Sequence, residues 1–325
     1  MAIVFAPNVI AQKKQLIETN KTVSIRSLSV VDNKIAWLSS SNGYTAITKD
    51  GGLTWKWQQV KGFEKADFRD IEAFSDKEAI IMSSGSPALI LKTIDGGLNW
   101  EVKYRNDDKA YFFDAMDFSN PKHGLVLGDP INEKFMLIET NDGGDSWHQF
   151  KNLPNAEKGE AAFAASGTCL RISYKGDYVS IVTGGNVARH LVLEKPFTDW
   201  AYYDLPITHG KPSNGAFSVG ENGMVIVGGD YSKDKFRDSV HATFSGHPLP
   251  YKDSKPGPNG YQSCVELIAP QTYLSTGTPG SNYSTDNGYT WQQIDATSFN
   301  VCRKAKNGKL VLLAGDKGKI GIFKF

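Results

Sequence analysis

The 325-residue chain carries almost no net charge: 36 Lys and Arg stand against 35 Asp and Glu, a formal +1. That balance supplies no overall field to draw in nucleic acid or an anionic membrane. No apolar run approaches the ~18 residues of a bilayer span, which excludes a membrane-spanning helix. Cysteine is scarce: Cys169, Cys264 and Cys302 are widely spaced, with no C-x-x-C pair. This pattern points to neither a zinc knuckle nor a disulfide framework, and the apolar or small-residue surroundings read as buried structural thiols. A Gly-x-Gly-x-x-Gly opening a helix and a P-loop are both missing, which removes a nucleotide-dependent oxidoreductase. His190, His209, His241 and His247 show no ligand spacing. The expectation is therefore no metal and no cofactor.

Residues 1–11 (MAIVFAPNVIA) are apolar, place Val9 and Ala11 at the −3 and −1 positions of a cleavage site, and are followed by polar Gln12-Lys13-Lys14. This reads like the back half of a secretory signal, with the mature chain starting at Gln12. The alternative is a buried or frayed N-terminal segment. If exported, the protein is expected in the periplasm, because the disulfides of many secreted domains are lacking.

What the chain does have is glycine, 32 residues, and a repeat. Thr48-Lys-Asp50-Gly-Gly52-Leu-Thr54-Trp55 recurs as Thr93-Ile-Asp95-Gly-Gly97-Leu-Asn-Trp100, Thr140-Asn-Asp142-Gly-Gly144-Asp-Ser146-Trp147 and Ser284-Thr-Asp286-Asn-Gly288-Tyr-Thr290-Trp291. The intervals are 45, 47 and 144 residues, the last being three times 48, so two degenerate copies fall in the gap, near Trp200 and Tyr251. Between motifs the pattern is strand, Gly-rich turn, strand, with almost no helical periodicity. Seven equivalent apolar second strands, from Lys34-Ile-Ala-Trp-Leu-Ser to Lys309-Leu-Val-Leu-Leu-Ala, predict an all-β, seven-bladed β-propeller of four-stranded antiparallel blades over residues 12–325. The last blade is one strand short, and Gln15-Leu-Ile-Glu18 is expected to close the ring beside residues 319–325.

These motifs resemble the Asp-box of the BNR-repeat propellers, a family that includes sialidases and photosystem II assembly and stability factors. A nearer resemblance is to bacterial members often labelled oxidoreductase or glycosyl hydrolase. It is carried by Gly159-Glu-Ala-Ala-Phe-Ala-Ala-Ser-Gly-Thr168, Thr183-Gly-Gly-Asn-Val-Ala-Arg189, Val227-Gly-Gly-Asp-Tyr231 and Leu312-Leu-Ala-Gly-Asp316. The boxes themselves read as structural. Asp50, Asp95, Asp142 and Asp286 accept hydrogen bonds within their own turns, and Trp55, Trp100, Trp147 and Trp291 wedge into the blades.

Functional residues are sought on the opposite face, where the inter-blade linkers and the loops after the second strands gather. The longest of these lie in blades four to six and carry His209, Lys211, Asp230, Tyr231 and Arg237, the candidates for docking a protein. Aligning the innermost strands puts Arg26, Arg69 and Arg303 on neighbouring strands, with Asp114 on blade three, Glu160 on blade four and Tyr261 on blade six. The arginines converge on an anion or pair with Asp70, Asp114 and Glu160; both readings stand.

The assembly-factor resemblance implies a non-catalytic scaffold that docks on a protein partner as an accessory or assembly component of a larger membrane-associated or secretion complex. The alternative is a sialidase-like glycoside hydrolase, or a binder of a small anion or glycan in the channel. The hydrolase needs an arginine triad, a Tyr nucleophile with a Glu partner, which Tyr261 and Glu160 offer by blade position, and an acid/base carboxylate. Its Phe-Arg-Ile-Pro fingerprint is absent, since Arg26 sits in Ser-Ile-Arg-Ser.

Overall fold

Alternating apolar strands separated by turns every few residues cannot bury their faces singly, and in this chain they stack as seven antiparallel sheets around an axis. The computed structural model describes residues 13–173, 175–244, 251–253 and 255–324; the candidate leader, residues 1–11, lies outside them. Blade one runs Ile25–Val30, Ala36–Ser40, Tyr44–Thr48 and Lys56–Gln59 from the axis outward, and the other blades repeat this order. Blade seven closes as the sequence predicts: Val301–Lys304, Val311–Ala314 and Ile320–Lys324 are completed by Lys13–Ile17, which pairs antiparallel with Ile320–Lys324.

Blade five departs from the four-strand expectation. Its sheet has six strands, because Glu160–Ala161 and Gly184–Gly185 add to the inner edge of Lys211–Val219. Glycine permits this. A Cβ on Gly215, at φ +148°, would stand 2.2 Å from the Gly184 Cα, so no side chain fits where these backbones meet. Glu160 consequently does not lie on the innermost strand of blade four, as expected; that strand is Leu170–Ile172.

A strand nearest the axis has one unpaired edge, and its N–H groups need acceptors. Side chains of the preceding blade supply them. Ser27 and Ser29 Oγ accept Ile71 N and Ala73 N at 3.1 and 3.0 Å, and Asp70 accepts Met116 N at 2.7 Å. Asp117 accepts Ile172 N at 2.6 Å, Ser218 accepts Val265 N at 2.8 Å, and Glu266 accepts Lys304 N at 3.1 Å. At the closure, Asn300 Nδ2 donates to Ile25 O at 3.0 Å.

The Asp-boxes occupy the turns between third and fourth strands. In each, the first Ser/Thr and the Asp hold the turn: Gly52 N donates to Thr48 Oγ1 (2.9 Å), Thr54 N to Asp50 Oδ1 (2.9 Å) and Thr54 Oγ1 to Asp50 Oδ2 (2.6 Å). Asn99, the odd residue of the second box, makes the same bond through Nδ2 at 2.8 Å. The box tryptophans pack less deeply than expected. Trp291 is buried, whereas Trp55, Trp100 and Trp147 are half-buried, with Trp100 edge-on to Trp37 and Trp147 edge-on to Phe118.

Candidate functional site at the channel mouth

The innermost strands of blades one, two and three each carry a register shift near their start, skipping Arg26, Arg69 and Asp114, and that of blade five carries one near its end, skipping Phe217. A bulge leaves its extra residue out of the ladder and re-aims the side chain. What these side chains meet is the chain itself. Residues 163–168, leading into blade four, are held from many sides: Arg69 Nη1 donates to Ala164 O at 3.1 Å and Arg303 Nη2 to Ser166 O at 3.0 Å. Ser166 Oγ donates to Ser263 O (2.7 Å), Thr168 and Ser218 hydroxyls bond at 2.6 Å, and a Cβ on Gly167 would strike the Asp70 carboxylate. A segment touching innermost strands of blades two, five, six and seven lies on the axis, so it plugs the channel.

The three arginines therefore do not converge on an open anion site. Arg69 pairs with Asp67 at 2.7 Å as well as with the plug, and Arg303 stands 4.0 Å from Glu266. Arg26 is half-buried and has no hydrogen-bond or ion-pair partner among the described residues; its charge acts on Tyr261 and Asp316. The pairing with Asp114 and Glu160 is not the observed one either. Among the described residues neither oxygen of Asp114 has a hydrogen-bond partner, and burial, with the Asp129 carboxylate beside it, raises its pKa well above the usual range against the pull of Arg69. Burial raises Asp129 to about 6.

Glu160 is taken up elsewhere. Its buried carboxylate accepts Arg189 Nε at 2.9 Å, Thr183 Oγ1 and the Glu157 N–H, while the Arg189 guanidinium lies over the Tyr202 ring at 4.8 Å. Tyr261 is instead part of an aromatic group. Phe163 of the plug stacks on Phe217 (3.9 Å between centroids), and Tyr261 and Tyr231 meet Phe217 edge-on at 4.8 and 6.2 Å. The Tyr–Glu pair required of a sialidase-like nucleophile is not assembled. Burial also raises the Tyr261 hydroxyl pKa, opposite to what a nucleophile needs.

Of the docking candidates, Tyr231 opens a 3-10 turn, Tyr231–Lys233, and is 52% exposed above the buried Phe217 and Tyr261. His209, Lys211 and Arg237 are exposed, as is Phe236, which the sequence reading passed over. Asp230 does not face outward: it is buried and caps the turn, accepting Ser232 N at 2.8 Å and Ser232 Oγ at 2.6 Å. Tyr231 thus joins its exposed loop to the buried Tyr261. Among the described residues, no cluster of three or more His, Cys, Asp or Glu is placed to hold a metal ion, and no helix is long and apolar enough to cross a membrane.

Beyond the plug the channel is a blind cavity of about 400 Å³ that opens on the other face, lined by Val30, Phe74, Phe118, Arg171, Glu266 and Arg303 among others. Arg171 and Glu266 bridge it at 2.8 Å.

A family model described as photosynthesis system II assembly factor YCF48 matches residues 6–108, and one for the BNR/Asp-box repeat matches residues 283–293. No curated protein matches the chain. A solved structure of YCF48 bound to a D1 peptide is 17% identical with a TM-score of 0.68, covering 100% of this chain and 99% of its own. That of YCF48 from Cyanidioschyzon merolae is 15% identical with a TM-score of 0.64, covering 95% and 98%. The chain is a seven-bladed propeller that resembles the BNR-repeat propellers and, among them, the photosystem II assembly-factor group.

Proposed function

We propose that the protein is a non-catalytic scaffold that docks a protein partner on the mouth face of blade five, as an accessory or assembly component of a larger membrane-associated or secretion complex. The observation that carries this reading is Tyr231, a half-exposed ring braced edge-on by buried Phe217 and Tyr261, with exposed Phe236 and Arg237 on the same loop. An aromatic anchor held rigid before binding loses little entropy on association, and aromatic and Arg residues dominate binding hot spots. The likeness to a YCF48 that has been solved with a peptide bound supports a polypeptide as the ligand class.

A hydrolase finds less support, since Glu160 is committed to Arg189 and Asp114 is sealed at 1% exposure. We place the protein in the periplasm, with maturation near Gln12; N-terminal sequencing of native protein that finds Met1 intact removes that placement.

The test of docking is affinity purification from the native source with wild type and the Tyr231→Ala/Arg237→Ala variant side by side. A partner held by wild type and lost by the variant supports the reading. Equal capture by both, or turnover of a sialoside that Tyr261→Phe abolishes, overturns it.

A further inference from the structure

The blind cavity on the face opposite the Tyr231 loop carries charges that the fold does not use. Most of its lining ions are spent on one another or on the main chain. Arg171 is bonded to Glu266 at 2.8 Å and to Val219 O at 3.3 Å, and Arg303, 4.0 Å from the same Glu266, donates to Ser166 O. Lys306 is paired with Glu72 and donates to Ala73 O at 2.8 Å, while Asp70 is taken up by Met116 N and Ser27 Oγ.

Three lining charges are left over. Asp117, half-buried on blade three, accepts Ile172 N through Oδ2, and its other oxygen has no partner among the described residues. Glu221, two residues past the innermost strand of blade five, is exposed, and only its main-chain carbonyl is bonded, accepting the Tyr178 hydroxyl at 2.8 Å. Lys304, half-buried on blade seven, gives its N–H to Glu266, but its ammonium has no partner among the described residues. The surplus is two carboxylates and one ammonium, on three separate blades around one opening. Burial raises the Asp117 pKa to about 6, opposed chiefly by the Arg171 charge, so the group is mainly ionised at neutral pH.

The rest of the wall includes apolar surface: Phe118 meets Phe74 edge-on at 5.2 Å, and Val30 and Leu267 also line the cavity. Its volume, about 400 Å³, falls among small-molecule pockets, ~300 to 1,000 Å³. A charge facing a confined, partly apolar space is costly unless a counter-charge enters with its own hydrogen bonds. The occupant that satisfies this set brings two cations, one carboxylate and an aliphatic stem.

We propose that the cavity binds a free basic amino acid, lysine or arginine, whose two cationic groups meet Asp117 and Glu221, whose carboxylate meets Lys304 and whose stem lies against the Phe118 side of the wall. Glutamate brings one carboxylate too many to this lining. Leucine suits the apolar wall but leaves one acid without a counter-charge. The site is separate from the Tyr231 loop and does not rest on the docking reading.

The experiment is isothermal titration of the full-length protein with lysine, arginine, leucine and glutamate at neutral pH and low salt. Lysine and arginine should saturate one site, about tenfold or more tighter than leucine, and glutamate should give no saturable heat. Nα-acetyl-lysine and lysine amide should each bind more weakly than lysine. Asp117→Asn keeps an acceptor for Ile172 N and Lys304→Met keeps the apolar stem; each, verified by its melting curve, should weaken lysine about tenfold, the loss of one charge-assisted hydrogen bond. In Lys304→Met the amide should bind as well as lysine itself, because the group that distinguishes them is gone. Glu221→Gln, at an exposed position, gives a second reading of the acidic side should Asp117→Asn fail to fold. No saturable binding of lysine or arginine, leucine or glutamate matching lysine, or wild-type affinity in the folded variants overturns the proposal.

Discussion

Asp70 Oδ2 accepts the Met116 N–H at 2.7 Å across the boundary between blades two and three, while its other oxygen accepts Ser27 Oγ from blade one and its neighbour's Ile71 N. One buried carboxylate thus ties three blades together at the axis. The position also has an electrostatic consequence: burial, against the opposing pull of Arg303 and these donors, raises the Asp70 pKa to about 7.

A group whose pKa is raised on folding binds its proton more tightly in the native state, so its contribution is fully present below the unfolded value near 4 and is lost as pH rises through the folded value. For Asp70 the window is pH 4 to 7, and Asp117, raised to about 6 by burial, acts in the same sense. Urea unfolding of wild type and Asp70→Asn across this window should show wild type losing stability relative to the variant as pH rises, by ~4 kcal/mol at most. Parallel profiles would show that Asp70 does not titrate there.

The Asp-box carboxylates titrate in the opposite sense. Hydrogen bonds from the Ser146 hydroxyl and N–H lower Asp142 to about 2, so its contribution is present above pH 4 and is lost as pH falls toward 2. Asp142→Ala should cost about 1 kcal/mol at pH 7, a net hydrogen-bond loss in a solvated turn. Its melting temperature should approach that of wild type near pH 2, and docking to the partner should be unaffected. A loss of docking at unchanged melting temperature would reassign the box to function.

Gly144 marks where an Asp-box turn meets the blade before it. At φ +83° its Cβ position lies 2.4 Å from Ile80 Cδ1 of blade two. Gly144→Ala should destabilise by about 1 to 3 kcal/mol, combining backbone strain with overpacking. Ile80→Val, which removes the clashing methyl, should recover the packing part and leave the strain. Additive costs in the double-mutant cycle would refute the contact.

Removing Glu160 takes away the buried counter-charge of Arg189, leaving it Asn155 O and the more distant Glu157, and takes the acceptor from Thr183 Oγ1 and Glu157 N. Glu160→Ala should cost about 3 to 5 kcal/mol in chemical denaturation, whereas replacing both partners by apolar residues should cost less. A Glu160→Ala protein of wild-type stability would reopen a ligand-binding role for this residue.

The repeat, its spacing and the seven apolar second strands were legible from the chain because a blade is a local object. Hydrophobic alternation, Gly-rich turns and Asp-box hydrogen bonds all act within ~50 residues and recur. The closing strand Lys13–Ile17 was legible for the same reason, as the missing fourth member of a counted set. The innermost strands of blades one and two were also correctly aligned, so Arg26 and Arg69 stand where a bulge turns them inward.

What the chain did not disclose is what those inward residues meet. The alignment took Glu160-Ala-Ala-Phe for a strand of blade four, and a plug is invisible to any repeat-based reading because it belongs to no repeat. Only closure of the ring brings residues 163–168 within reach of Arg69, Arg303 and Ser263 and separates Tyr261 from Glu160. Local periodicity determined the blades, since each strand pair stabilises itself by neighbouring hydrogen bonds. The contents of the channel were decided by tertiary structure alone, since groups separated by about a hundred residues in sequence become neighbours only when every blade is in place.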